Sequence, residues 1–206
     1  MHIVRLENSK HRQERVLVHL EDGTILRITG AELLQFGVYQ GLDLPPETLA
    51  ALEAAARRSD AKRRGAGMAS GRMLSKKELT DRLTRKGASP EDAAGAADWL
   101  EGLGAVDDAA YAGVIARHYG AMGYGAARVR QELHRRGIPQ PLWDDALAQL
   151  PPPQEAIRRL LQTKLRGRPL TDDSSRRFAA ALQRRGFRWQ DIRPVLNELG
   201  QQIDET

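Results

Sequence analysis

The chain has 206 residues, enough for one large or two small domains, each with a buried core. It has no cysteine, which excludes a disulfide framework, a zinc finger and a thiol nucleophile and suits a reducing compartment. Lys and Arg total 32 against 27 Asp and Glu, and no apolar run approaches the roughly 18 residues of a membrane span.

The opening stretch, Met1 to Lys10, has no apolar segment of the secretory kind, so the expectation is a cytoplasmic protein with no membrane contact. Charge is unevenly placed. Residues 1–56 carry five basic and eight acidic side chains, net −3, and the rest of the chain is net +8. That asymmetry points to a polyanion partner for the later part. The alternative source is an arginine-rich composition set by a GC-rich genome.

Val16, Val18 and Leu20 alternate along Arg15–Leu20, and Ile25–Ile28 follows after Glu21-Asp22-Gly23-Thr24. Asp-Gly between two apolar runs predicts a hairpin with a type I′ turn. His2–Leu6 supplies a third strand, because a lone hairpin is marginal in water. Residues 30–56 read as short helices, with Pro45-Pro46 opening the last. Residues 57–72 are basic and hold Gly65, Gly67 and Gly71. The first half reads as a helix extension, the second as a hinge or linker.

The remainder is a repeat. Leu79, Leu83 and Gly87 align with Val129, Leu133 and Gly137, and these with Phe178, Leu182 and Gly186, at offsets of 50 and 49. Two basic residues precede each glycine. Ala93, Trp143 and Ile192 form a further column, as do Ala97, Leu147 and Leu196, then Leu100, Leu150 and Leu199. Such self-similarity predicts a helical repeat. Ser75 and Glu78 form a capping box. Gly87, Gly137 and Gly186 sit where a helix ends in a left-handed residue. Pro90 and Pro141 open second helices, Asp107-Asp108 caps a third, and Pro151–Pro153 opens its counterpart. Tyr111, Val114, Ile115 and His118 share an apolar face, on which His118 reads as a packed histidine. Pro194 lies in a first turn starting near Asp191, or kinks its helix. The units are 1–56, a hairpin with short helices; 57–72, basic linker or helix extension; 73–122 and 123–168, three-helix repeats; and 169–206, a partial third. The fold class is mainly α.

No catalytic constellation is present. His2, His11, His19, His118 and His134 have no metal-ligand spacing, and no Walker-type phosphate loop occurs. Gly123-Tyr124-Gly125 reads as a helix break plus a new N-terminus, and Asp107-Asp108 as a cap rather than a metal site. No cofactor is expected. No heptad or other dimerisation element is visible, so the chain reads as a monomer.

Three stretches carry a resemblance: Arg72–Leu79 with Leu83 and Lys86-Gly87; Leu103–Ala112; and Gly123–Leu133 with Arg136-Gly137-Ile138. Leu182–Phe187 with Ile192 and Val195-Leu196 adds a fourth. Here the sequence resembles the RecX family of bacterial recombination regulators, over about residues 72–199. The resemblance implies tandem three-helix repeats in an elongated, curved rod. It also implies binding to the RecA recombinase filament on DNA, usually inhibiting it, with no catalytic activity. The setting it implies is homologous recombination, DNA repair and the SOS response.

Arginine and lysine in register along such a repeat can neutralise successive phosphates. The candidates for contact with DNA or filament are Arg128, Arg130, Arg135, Arg136, Arg184 and Arg185, with a second cluster of Lys164, Arg166 and Arg168. Aromatics make up only 5% of the chain, which leaves few platforms for base stacking. The competing reading is a sequence-tolerant DNA-binding or transcriptional protein with helix-turn-helix-like units. A helical scaffold binding only protein is a third.

Overall fold

The computed structural model describes residues 1–9 and 15–204; His11 lies outside them. Strands β1 (Ile3–Asn8), β2 (Arg15–Leu20) and β3 (Ile25–Thr29) form an antiparallel sheet in that order. The alternation of β2 buries Val18 and Leu20 against Ile3, Ile28, Val38, Leu44 and Leu52. The β2–β3 turn is not type I′. Gly23 has φ +84°, but Asp22 keeps a negative φ. The Gly23 N–H donates to Leu20 O (3.0 Å) and the Leu20 N–H to Thr24 O (2.9 Å). This is the longer loop in which one left-handed glycine suffices. Asp22 tightens it by accepting from the Thr24 N–H (2.9 Å).

Helix α1 (Gly30–Gln35) starts with a reciprocal cap between Thr29 and Glu32. Helix α2 (Pro46–Gly71) then runs 26 residues, straight through the glycines expected to form a hinge. Gly65 explains the difference. A Cβ there would lie 2.9 Å from Leu100 Cδ1 and 3.6 Å from Leu83 Cδ1. The glycine permits close helix approach, and that packing offsets its propensity cost of about 1 kcal/mol.

The helices that follow are α3 (Lys76–Arg85), α4 (Pro90–Gly102), α5 (Asp108–Ala121), α6 (Ala126–Arg135), α7 (Trp143–Leu147), α8 (Pro153–Leu165), α9 (Asp172–Arg184) and α10 (Trp189–Asp204). Helices α3, α6 and α9 close with one motif. The N–H of Gly87, Gly137 and Gly186 donates to Thr84, His134 and Gln183, each at 2.9 Å. The next N–H reaches Leu83, Leu133 or Leu182. All three glycines have φ between 68° and 90°, so each turn is a Schellman cap. Ser89 caps α4 with Pro90 in its first turn, and Asp107 caps α5. Pro141 instead lies in a 3₁₀ turn, Gln140–Leu142, ahead of the short α7. Pro194 falls in the second turn of α10, because that helix begins at Trp189. His118 is exposed, as is Val114. The buried stripe of α5 is Tyr111, Ala112, Ile115 and Ala116, and His118 lies about a quarter-turn off its centre.

Packing sets the phase of the repeat. Tyr111, Ala112, Ile115 and Ala116 of α5 share a core with Val129 and Leu133 of α6, Ile138, and Ala146 of α7. Ala156, Ile157 and Leu161 of α8 share one with Leu182, Phe187, Ile192, Val195 and Leu196. The modules are therefore α5–α6–α7 and α8–α9–α10. Likewise α2 packs on α4 and lays Gly65 against Leu79, Leu83 and Leu100. Boundaries at 73, 123 and 169 place α5 and α8 one module too early, and the last module is complete rather than partial. The recurring turns fix a period but not a starting helix; only shared cores do that. Two compact units result: residues 1–73 with 78–106, and 74–77 with 107–206.

Within the second unit the glycine turns do a second job. The Gly125 N–H donates to Arg185 O (2.8 Å) and the Ala127 N–H to Gly186 O (3.2 Å). Helix α6 has no side-chain cap at Gly125, so the end of α9 satisfies amides that the helix leaves open. At the equivalent place 50 residues earlier, the Ser75 hydroxyl donates to Arg136 O (2.5 Å), and Gly137 abuts the Lys77 side chain. Beside it the Lys76 N–H donates to Asp108 Oδ1 (2.9 Å).

Two alanine substitutions separate turn from junction. Gly87→Ala meets nothing within 4 Å and bears only the left-handed backbone cost, about 1–2 kcal/mol. Gly125→Ala puts a Cβ 2.5 Å from Gly186 O, where backbone meets backbone. The expected loss is about 3 kcal/mol, the upper range of overpacking. Urea unfolding of both variants measures the difference, and equal losses contradict the junction.

Candidate nucleic-acid and partner interface

The nine basic candidates divide by their surroundings. Arg128, Arg135, Lys164, Arg166, Arg168 and Arg184 are exposed; Arg130, Arg136 and Arg185 are half-buried. In each Arg-Arg-Gly turn the second arginine faces inward. Arg136 donates from Nε to Glu132 Oε1 (2.7 Å) and from Nη1 to the Tyr111 hydroxyl, with its guanidinium 5.5 Å from the Tyr111 ring centre. Arg185 donates from Nη1 to Met122 O (3.0 Å) and Gly123 O (3.1 Å), 5.2 Å from the Tyr124 ring centre. A guanidinium suits this work because its planar fork bonds carbonyls while its face stacks on an aromatic ring. These two arginines hold the fold together.

The first arginine of each pair differs. Arg184 is exposed with no partner among the described residues. Arg135 is exposed too, but it grips Glu132 with two bonds, Nε to Oε2 (2.9 Å) and Nη2 to Oε1 (2.5 Å). Glu132 at i, i+3 and i+4 from two arginines is a helical ion-pair spacing visible in the sequence.

The junction brings two modules' charges together. A Cβ on Gly186 would lie 2.9 Å from Arg128 Cβ, so the α9 turn carrying Arg184 sits on the start of α6. Arg128 Nη1 spans only to Gln131 (3.1 Å) and stays exposed. Arg130 lines an adjoining groove of about 420 Å³ with Tyr124, Pro152, Phe187, Arg188 and Asp191. Arg188, exposed just after the turn, is a basic residue that sequence reasoning missed. Lys164, Arg166 and Arg168 lie elsewhere, at the end of α8. Arg166 there adopts φ 50°, ψ 42°, the one left-handed non-glycine among the described residues. Among the described residues no group of three or more His, Asp or Glu is placed to hold a metal ion, and no helix is long and apolar enough to cross a membrane.

Glu132 is 4% exposed. The hydrogen bond from Arg135 lowers its pKa most; burial opposes, and Arg136 adds to the lowering, leaving it at about 2 against an ordinary 4.5. A depressed carboxylate stabilises the fold above its unfolded pKa and loses that stabilisation as pH falls toward 2. About 2.5 units corresponds to roughly 3 kcal/mol. Glu132→Gln is expected to lose about 2–3 kcal/mol at neutral pH and to flatten the fall in stability between about pH 4.5 and 2. Urea unfolding across that range checks both; an unchanged slope assigns the acid sensitivity to another group.

Residues 107–147, the α5–α6–α7 module, match the family model described as RecX, second three-helix domain. A regulatory protein RecX from Xanthomonas axonopodis pv. citri (strain 306) is 34% identical over 132 residues, 63% of this chain and 82% of the relative. One from Lactobacillus delbrueckii subsp. bulgaricus is 28% identical over 213 aligned residues, with 100% of this chain and 78% of the relative covered. Among solved structures, a crystal structure of regulatory protein RecX superposes with TM-score 0.75 at 24% identity, over 95% of this chain and 98% of that one. RecX from Lactobacillus salivarius gives 0.63 at 19% identity, over 70% and 97%. The two structural likenesses speak for the fold, and the sequence relatives carry the lineage: the chain belongs to the RecX family of regulatory proteins.

Proposed function

We propose that this chain is a non-enzymatic regulator of the RecA recombinase, binding along the groove of the RecA–DNA filament and lowering its activity. Family membership is the observation that carries this reading, since the relatives bear the name regulatory protein RecX. The exposed arginines near the α6–α9 junction support it: Arg184 has no partner among the described residues, and Arg128 is bonded to the exposed Gln131 side chain, so both can turn to phosphate at little cost to the fold. Several weak contacts on one chain raise its effective concentration at the filament, so a single copy acts across neighbouring recombinase subunits. Occluding the second DNA strand is then enough to inhibit. The chain acts as a monomer in the cytoplasm, in homologous recombination, DNA repair and the SOS response.

Which arginines touch phosphate follows from their other duties. Arg136 and Arg185 are spent within the fold, so Arg128 and Arg184 carry the DNA contact, with Lys164, Arg166 and Arg168 as a second point. Replacing Arg128 and Arg184 by Ala is expected to reduce the slope of log affinity against log salt by about one unit per lost contact. Fold stability stays within about 0.5 kcal/mol. Recombinase ATP hydrolysis and strand exchange, titrated with this chain, give the functional readout: both fall, and the double variant inhibits less. If both stay level while the chain still binds bare DNA, the DNA-binding alternative takes over.

A further inference from the structure

The chain has three tryptophans, and two of them are occupied by contacts within the fold. Trp143 donates from Nε1 to Ile138 O (3.0 Å) and packs on the α5–α6–α7 core. Trp99 holds the Lys62 ammonium 5.3 Å from its ring centre. Trp189 is 50% exposed and lies outside the α8–α9–α10 core. Neither its ring nor its Nε1 has a partner among the described residues. It opens α10, whose buried stripe is Ile192, Val195 and Leu196. At 3.6 residues per turn Arg193 lies about 40° round the helix from Trp189, and Asp191 about 200°. Asp191 lines the groove described above with Arg130 and Arg188, where it offsets one of the two arginines. Arg193 shares the open side of the tryptophan, and Arg188 directly precedes it. Both arginines are exposed and have no ion-pair partner among the described residues.

We propose that Trp189 is a stacking platform for one unpaired base of a single-stranded nucleic acid, with Arg188 and Arg193 on the flanking phosphates. An exposed indole offers its face to any base, so the contact is tolerant of sequence. The two guanidinium groups draw the backbone to the ring. A base within a duplex is already stacked on its neighbours and does not reach the indole, so the contact selects single strands. Aromatic residues are scarce in this chain, which makes a solvent-facing tryptophan between two unpaired arginines the exception. The contact is distinct from that of Arg128 and Arg184, which meets phosphate in duplex and single strand alike, and it does not depend on recombinase.

The test uses the full chain and oligothymidylate, with no recombinase present. The three indole N–H signals are followed by NMR during titration; that of Trp189 is expected to move and that of Trp143 to stay. Trp189→Ala weakens single-strand binding about tenfold, without changing the slope of log affinity against log salt or the affinity for a duplex of equal length. Trp189→Phe, which keeps a ring, recovers most of that loss. Arg193→Ala lowers the salt slope instead, by about 0.7. Competition between oligothymidylate and oligouridylate tells whether the strand is DNA or RNA. A Trp189 signal that does not move, equal affinity for an abasic strand of the same length, or an equal loss for duplex and single strand in Trp189→Ala overturns the proposal.

Discussion

Two backbone hydrogen bonds, from Gly125 and Ala127 to the carbonyls of Arg185 and Gly186, join the start of α6 to the end of α9. A helix start has open donors and a helix end has open acceptors, so each satisfies the other without a capping side chain. The partial charges of the two ends are opposite in sign, which favours the same contact. The contact demands a residue with no side chain at 125, because a Cβ would stand 2.5 Å from Gly186 O. It demands a left-handed glycine at 186, φ 89°, because the Schellman turn must present its carbonyls outward. Arg185 braces it through Met122 O and Gly123 O.

Much of this was legible in the sequence, for a physical reason. Schellman turns, proline-led first turns and Asp107 as a cap depend on residues within one helical turn, so local chemistry reveals them. The three-strand sheet was legible from alternation in Arg15–Leu20. What depends on distant residues was not. Gly65 looked like a hinge because nothing nearby in sequence announces Leu83 and Leu100 across from it. The phase of the repeat was hidden because identical turns recur whichever helix is counted first. His118 looked buried because i, i+3 and i+4 spacing tolerates a quarter-turn error that only a packed core resolves.

The candidate interface shows the same divide. Arginine next to arginine before glycine reads as two equivalent charges. The fold makes them unequal: Arg136 and Arg185 turn inward beneath Tyr111 and Tyr124, and Arg184 stays outside. The inward members are bonded within the fold; of the outward two, Arg135 is held by Glu132 and Arg184 has no partner among the described residues. The patch of Arg128 and Arg184 exists only while the α9 turn rests on α6, which ties the proposed filament contact to the two hydrogen bonds.

Native-state hydrogen exchange at the Gly125 and Ala127 amides tests that dependence directly. Amides at a helix start with no side-chain cap ordinarily exchange quickly. The junction requires both to be protected to a degree approaching Leu133 in the interior of α6. Fast exchange at Gly125 and Ala127 beside a protected Leu133 contradicts it.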